Sequence, residues 1–358
     1  MLKLNFMMQA DIRVEKAQQT KIGKVDFDNI VFGKEFTDHM YICDYKDGAW
    51  GNARIQPYGD LNLSPSLSAL HYGQSIFEGM KAYKSPSGEP LFFRPEENWA
   101  RLNISAERMC MPSIPKNLFM GGLKKLISME KDWIPTKHGS SLYIRPFMFA
   151  TDDFLGVKHS DNYTFIIYCC PVNAYYSGAL KVKVEEEYSR AAPGGVGFTK
   201  CAGNYAAAML PTKKAKEEGY DQILWTDAVE HKYVEETGTT NFFAVLEAKV
   251  LTAEVNELLL SGITRKSVID LLKNDGIAVE ERKISIQELL EAHAEGKLKE
   301  CFATGTAATI VSIKSLGYRG KQYDLNSGEG TLAEKVKKQI TDIKTGKGED
   351  VFNWVETI

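Results

Sequence analysis

The sequence predicts a mixed α/β protein of two domains, on three observations. At 358 residues the chain is long enough for two domains of ordinary size. Hydrophobic residues make up 44% and charged residues 25%, which supplies apolar surface for two cores and excludes a disordered chain. Segments with helical spacing and segments that read as strands occur together in both halves.

The elements follow in order. Residues 36–57 mix aromatics with Asp, Gly and Asn, as strands joined by tight turns do. Between 95 and 111, Trp99, Leu102, Ala106 and Met109 recur at helical spacing, and between 117 and 133 Phe119, Leu123, Leu126 and Ile127 do the same. The apolar runs 141–150 and 163–172 are aromatic and β-branched, which predicts buried strands. Residues 173–180 are turn-prone and contain Gly178, so the domain boundary is set there: a small N-terminal domain 1–172, a linker 173–180, and a large C-terminal domain 181–358. Leu180, Val182 and Val184 alternate with charged residues in a half-exposed strand. A Gly-rich stretch at 191–205 breaks regular structure and leads into a helix over 205–218 that Pro211 is expected to kink. Short strands follow at 222–226, 232–236 and 242–247. A helix starts near Gly262 to Thr264 and stops near Gly276; another covers 285–296. Residues 301–313 read as strand–turn–strand with the turn at 304–306, and 332–346 as a closing helix.

Lys and Arg total 44 and Asp and Glu 47, a formal charge of −3 that leaves no electrostatic footprint for nucleic acid. None of the six cysteines forms a C-x-x-C pair, and the six histidines lack metal-ligand spacing, so a disulfide framework and a zinc catalyst are not expected. No stretch approaches the ~18 apolar residues that span a bilayer, and the N-terminus does not read as a signal peptide. The expected location is the cytoplasm.

Three glycine- or threonine-rich turns in the second half, at 194–200, 261–265 and 304–307, place backbone N–H groups and hydroxyls where an anion could sit. Their spacing matches neither a dinucleotide fingerprint nor a phosphate loop, so no nucleotide-binding domain is implied. Lys200 directly follows the first. On base rates a loop lysine is a solvated surface residue; the alternative is a Schiff-base lysine in a dry, preformed site. Glu236 and Arg101 leave the same choice open.

Taken together, residues 70–83 (LHYGQSIFEGMKAY), 93–102 (FRPEENWARL), 141–146 (SLYIRP), 194–207 (GGVGFTKCAGNYAA), 224–243, 261–265 (SGITR) and 304–308 (TGTAA) resemble the branched-chain amino acid aminotransferases. These are pyridoxal 5′-phosphate (PLP) enzymes of fold type IV, on the D-amino-acid-aminotransferase-like fold. The resemblance runs from about residue 32 to the C-terminus. Lys200-x-x-x-Asn204-Tyr205, followed by Glu236-x-Gly238-x-x-Asn241, is specific to the superfamily. FTDHM, FEGMKA and SLYIRP narrow it to the branched-chain subgroup.

The resemblance implies roles residue by residue. Lys200 matches the lysine that binds the cofactor covalently, Glu236 the carboxylate facing the pyridine nitrogen, and Tyr205 the tyrosine near the phenolic oxygen. Arg101, Ile263, Thr264 and Thr306 match the phosphate cup. Phe32, Phe77, Tyr143, Tyr175 and Thr239 match positions around the substrate side chain, Thr239 also bordering the cofactor. Tyr72, Arg145 and Ala307 match positions that handle substrate carboxylates. The implied reaction moves an amino group between leucine, isoleucine or valine and 2-oxoglutarate, and the implied assembly is a homodimer. A thiol pair that mammalian members carry after the GTA turn is replaced by Ala308 and Val311.

D-amino acid aminotransferase and aminodeoxychorismate lyase share the lysine and glutamate but rank lower, because SLYIRP and FEGMKAY follow the branched-chain pattern. A non-catalytic PLP carrier has no need of Tyr72, Arg145 and the TGTA turn.

Overall fold

The computed structural model describes residues 11–174 and 178–358. Its contacts divide the chain into two units, Met1–Ala174 with Lys344–Ile358, and Tyr175–Ile343. Both mix strands and helices, as the α/β expectation required.

The first unit is built on a sheet whose strands lie in the order Arg13–Val14, Ala49–Pro57, His39–Lys46, Tyr163–Val172, Ser141–Ala150, Met80–Lys84, Pro90–Phe93 and Val355–Thr357, with Ser75–Phe77 also pairing to Ser141–Ala150. All these pairings are antiparallel except Arg13–Val14 with Ala49–Pro57. The two apolar runs of the sequence are its central strands and pair along their whole length, from Ser141 opposite Val172 to Ala150 opposite Tyr163. An unbroken apolar run suits a strand covered on both faces. The helix Lys116–Met129 buries Phe119, Leu123, Leu126 and Ile127, the stripe expected from the spacing. Pro95 opens the helix Pro95–Arg108, where a missing N–H costs nothing.

The second unit carries the other large sheet, in the order Val234–Thr237, Gln222–Thr226, Leu180–Val184, Thr309–Tyr318, Leu298–Gly305, Thr240–Leu246, Lys249–Thr252 and Ala278–Glu281. Val234–Thr237 also pairs with Thr240–Leu246, so the first six strands of that order close into a ring. Closure removes two exposed edges. Val182, Leu224, Phe242, Ala244, Cys301, Ala303 and Ile313 belong to one buried cluster of this unit.

Three details differ from the sequence reading. The second domain does not run to the C-terminus: Lys344 onward belongs to the first unit, where Val355–Thr357 adds an edge strand to Pro90–Phe93. The helix placed at 205–218 is two, Ala202–Ala206 and Met209–Glu217, and Pro211 sits in the first turn of the second, where proline is tolerated without a kink. The turn placed at 304–306 falls between Gly305 and Thr309.

Candidate active site

In the second unit the Gly-rich loop is fastened from inside. Asn204 donates from Nδ2 to the carbonyls of Val196 (2.9 Å) and Thr199 (3.0 Å), and Thr199 Oγ1 donates to Val196 O (2.8 Å). These bonds fix the backbone that delivers Lys200, whose Nζ lies 2.9 Å from Tyr205 Oη. Tyr205 is on the short helix Ala202–Ala206, so the pair spans the turn from loop to helix.

Glu236 is 2% exposed. Its Oε2 lies 2.9 Å from Arg190 Nε, and its Oε1 accepts from Leu260 N (2.9 Å) and Asn241 Nδ2 (3.3 Å). Arg190 also donates to Gly197 O (3.2 Å) and Leu258 O (3.0 Å). One guanidinium thus ties the carboxylate to the Gly-rich loop and to the segment leading into the helix Ile263–Asn274. Sequence reasoning missed Arg190 and noticed Asn241 only as a motif letter, with no role attached. The nearest signal for Arg190 was an arginine immediately upstream of a glycine loop, which has no spacing signature of its own.

Register places further groups on the Glu236 face. Glu236 is opposite Asn241, and Asn241 is opposite Thr304, so the three side chains stand in a row. Thr304 Oγ1 is buried and has no hydrogen-bond partner among the described residues. Gly262 borders the same row: a Cβ there would sit 2.0 Å from Asn241 Oδ1, so no larger residue lets the helix start this close. The helix Ile263–Asn274 has no side-chain cap, and Ile263 and Thr264 are buried in its first turn. A helix N-terminus with uncapped N–H groups favours an anion. Thr306 and Ala307 are half-buried in the turn 306–308, and Thr239 is exposed in the tight turn after Gly238.

Glu235, next to Glu236, faces the other way, on the side of Phe242 and the apolar cluster. It is 4% exposed, and neither carboxyl oxygen has a partner among the described residues. Burial, with the charge of Glu236 added, pushes this carboxyl up to about 8.

The remaining predicted residues lie in the first unit. Arg145 and Tyr143 are two apart on Ser141–Ala150 and share a face. The Arg145 guanidinium lies over Phe77 (4.5 Å to the ring centre) and over Tyr143 (5.4 Å), and its Nη2 donates to Tyr143 Oη (3.0 Å). Phe32 meets Tyr143 edge-on at 5.2 Å. Phe32, Phe77, Tyr143 and Arg145 are therefore one contiguous aromatic and cationic patch. Gly79 permits it, because a Cβ there would collide with Tyr143 Oη at 2.3 Å. Tyr72 ends the helix Ser68–Tyr72, is exposed, and has its ring beside His71. Tyr175 lies outside the described residues.

Arg101 is gripped by a residue the sequence reading did not single out as a site residue. Its Nε donates to Glu78 Oε1 (2.7 Å) and its Nη2 to Glu78 Oε2 (2.9 Å), while Asn98 Nδ2 (2.8 Å) and Gly79 N (3.1 Å) also donate to Glu78. Glu78 is fully buried, so Arg101 is held in one orientation by a bidentate carboxylate. Cys301 is buried with its thiol pushed up, and all six cysteines are free.

Three comparisons bear on this site. The family model described as amino-transferase class IV matches residues 75–316. Branched-chain-amino-acid transaminase 1 of Bacillus subtilis (strain 168) is 48% identical, with 92% of this chain and 95% of that protein covered. A branched-chain-amino-acid aminotransferase of Mycolicibacterium smegmatis is 42% identical over 90% and 91%. Among solved structures, the Escherichia coli branched-chain amino acid aminotransferase superposes with a TM-score of 0.72 at 27% identity, covering 89% of this chain and 98% of that one. A second solved branched-chain amino acid aminotransferase, bound to pyridoxamine 5′-phosphate, gives 0.71 at 25% identity, covering 88% and 97%.

Proposed function

The chain belongs to the class IV amino-transferase family, and from that membership we propose that it is a PLP-dependent enzyme exchanging the amino group between leucine, isoleucine or valine and 2-oxoglutarate. The relatives covering nine-tenths or more of the chain are named for branched-chain amino acids. The observation that carries the reading is the hub at Glu236. A buried carboxylate is fixed by Arg190, and the same arginine anchors the loop that delivers Lys200.

The residues fit the cofactor. The buried, unpartnered Thr304 hydroxyl and the glycine-tight helix start at Gly262 form a cradle for a phosphate. Ile263 and Thr264 open that helix; the family resemblance alone assigns Thr306 and Arg101 to the phosphate, and Glu78 holds Arg101 in one orientation. When bound, the cofactor supplies an electron sink that stabilises charge left at the substrate Cα. Glu236 keeps a proton on the pyridine nitrogen, because its anchored charge favours the protonated ring. Lys200 Nζ takes and returns the Cα proton, and Tyr205 Oη orients it through the 2.9 Å contact. Phe32, Phe77 and Tyr143 exclude water from the substrate side chain and bury it by area, while Arg145 meets a second carboxylate. Tyr72, Tyr175, Thr239 and Ala307 complete the substrate reading.

The homodimer belongs to the same proposal. The segment 61–72 and the loop 151–157 are stitched together: Ser68 N donates to Asp152 O (2.9 Å), and Ser64 and Ser66 hydroxyls donate to Asp153. They display Leu70 (65% exposed), Phe154 (51%), Leu155 (64%) and Val157 (91%). An exposed apolar patch of this kind favours self-association. The free thiols fit a reducing compartment and so the cytoplasm. Among the described residues no helix is long and apolar enough to cross a membrane.

The test is an absorbance spectrum of the purified protein. The band of the bound cofactor should bleach on adding leucine and return on adding 2-oxoglutarate. A band that leucine leaves unchanged rejects the reading.

A further inference from the structure

The FTDHM motif at 36–40 is not absorbed by the cofactor site, yet it organises a buried polar cluster. Asp38 is 7% exposed and Glu130 1%. Asp38 N donates to Glu130 Oε2 (3.2 Å), and the neighbouring His39 Nδ1 bonds Glu130 Oε1. Trp133 Nε1 donates to Asp38 Oδ2 (3.1 Å). The rest of the cluster's capacity goes to the N-terminal segment. Asp38 accepts from Thr20 Oγ1 (2.6 Å) and from Lys21 N (2.8 Å). His39 Nε2 accepts from Ala17 N (2.9 Å), which fixes the ring's hydrogen on Nδ1, toward Glu130. Lys21 Nζ donates to Thr37 O (3.2 Å).

The segment so clasped has one aromatic anchor near the cluster, Phe27, whose ring lies 6.4 Å from that of Trp133. Its residues from 17 to 35 are half-buried or exposed, and its only regular element there is the single turn Ile22–Lys24. Farther along it is tied by Asp28, whose carboxylate meets Lys137 Nζ (3.1 Å) and whose carbonyl accepts from Asn173 (3.2 Å). Four residues later it delivers Phe32 against Tyr143, the tyrosine that accepts from Arg145. Bonds to a buried carboxylate therefore set where an exposed strap places an aromatic ring.

We propose that Asp38 is a positioning residue for the substrate side-chain wall, acting through the clasp on residues 17–21 to hold Phe32 over Tyr143. Loss of the clasp leaves the cofactor residues untouched, since none of them lies on the strap. It lets Phe32 leave Tyr143 and weakens binding of an apolar side chain. The proposal rests on the reading of Phe32 as part of that wall.

The experiment is a double-mutant cycle on the holoenzyme with leucine as amino donor. Asp38→Asn and Thr20→Val should each raise the KM for leucine about tenfold, the worth of one hydrogen bond to a charged group. In both, kcat and the cofactor absorbance should stay near wild type. In a Phe32→Ala background neither substitution should raise KM further, because the ring they position is gone. Thr20 is exposed, so Thr20→Val carries the test alone if Asp38→Asn does not fold. Effects that multiply with Phe32→Ala, or a KM unchanged in Thr20→Val, overturn the proposal. Absence of leucine transamination in the wild type instead rejects the function on which it rests.

Discussion

Arg190 Nε lies 2.9 Å from Glu236 Oε2, with both side chains almost wholly buried. Breaking a buried pair from one side leaves an uncompensated charge and costs about 3–5 kcal/mol. Arg190→Met should therefore lower the melting temperature and the affinity for PLP together, since the same guanidinium holds Gly197 O and Leu258 O. Glu236→Gln strands the arginine in the same way. The double variant Arg190→Met/Glu236→Gln should be less destabilised than the sum of the two singles. Thermal unfolding of the four proteins checks this, and additive losses would show that the two groups do not act as a pair.

Lys200 is expected to separate chemistry from folding. Its side chain is half-buried, and Asn204, Thr199 and Arg190 supply bonds that shape its loop. Lys200→Ala should keep the circular dichroism spectrum of the wild type and lose turnover by about 10²–10⁴-fold or more, the usual worth of a positioned proton-transfer group. Turnover within tenfold of wild type would place the proton transfer elsewhere.

Much of this was legible before the structure, and the parts that were not share a cause. The strands Ser141–Ala150 and Tyr163–Val172 declared themselves because their burial needs an unbroken apolar run. The stripe Phe119, Leu123, Leu126, Ile127 did so because helix burial has a period. The strand Val355–Thr357 is only three residues long and pairs with Pro90–Phe93, far away in sequence, so no local pattern marks it. Glu78 and Arg190 were hidden for the same reason: their work is to hold a partner 23 and 46 residues away (101 − 78 and 236 − 190). The residues expected to touch cofactor or substrate came from motif order, and their supporting shell came only from the fold.

Arg145 is expected to discriminate between carboxylates and apolar side chains. Its guanidinium rests on Phe77 and Tyr143, so a cation is presented beside an aromatic wall. Leucine needs the wall and glutamate needs the cation. Arg145→Met keeps apolar volume and removes the charge, and the half-reaction with glutamate or 2-oxoglutarate should fall about tenfold or more beyond that with leucine, the worth of a charge-assisted hydrogen bond. Stopped-flow measurement of each half-reaction decides it. Equal losses would mean that Arg145 serves the α-carboxylate common to all substrates or only supports the strand.

Glu235 sets an alkaline cost on stability. It points toward the apolar cluster of the second unit, away from the row that holds Glu236. An unpartnered buried polar group costs about 1–3 kcal/mol, and more once it is ionised. Because its carboxyl is pushed up to about 8 from an ordinary value of 4.5, the folded state keeps a proton that the unfolded chain releases between those two values. The unfolded state then binds fewer protons than the native state, so stability falls as pH rises through that window and levels off above it. Glu235→Met removes both the titration and the unsatisfied oxygens while keeping a side chain of similar length. It should raise the melting temperature, with a larger gain at pH 8.5 than at pH 5. Turnover should change little, because Glu235 faces away from the Glu236 row. A gain independent of pH would show that Glu235 ionises normally in the folded protein. A loss of stability would show that its carboxyl does have a partner inside that cluster.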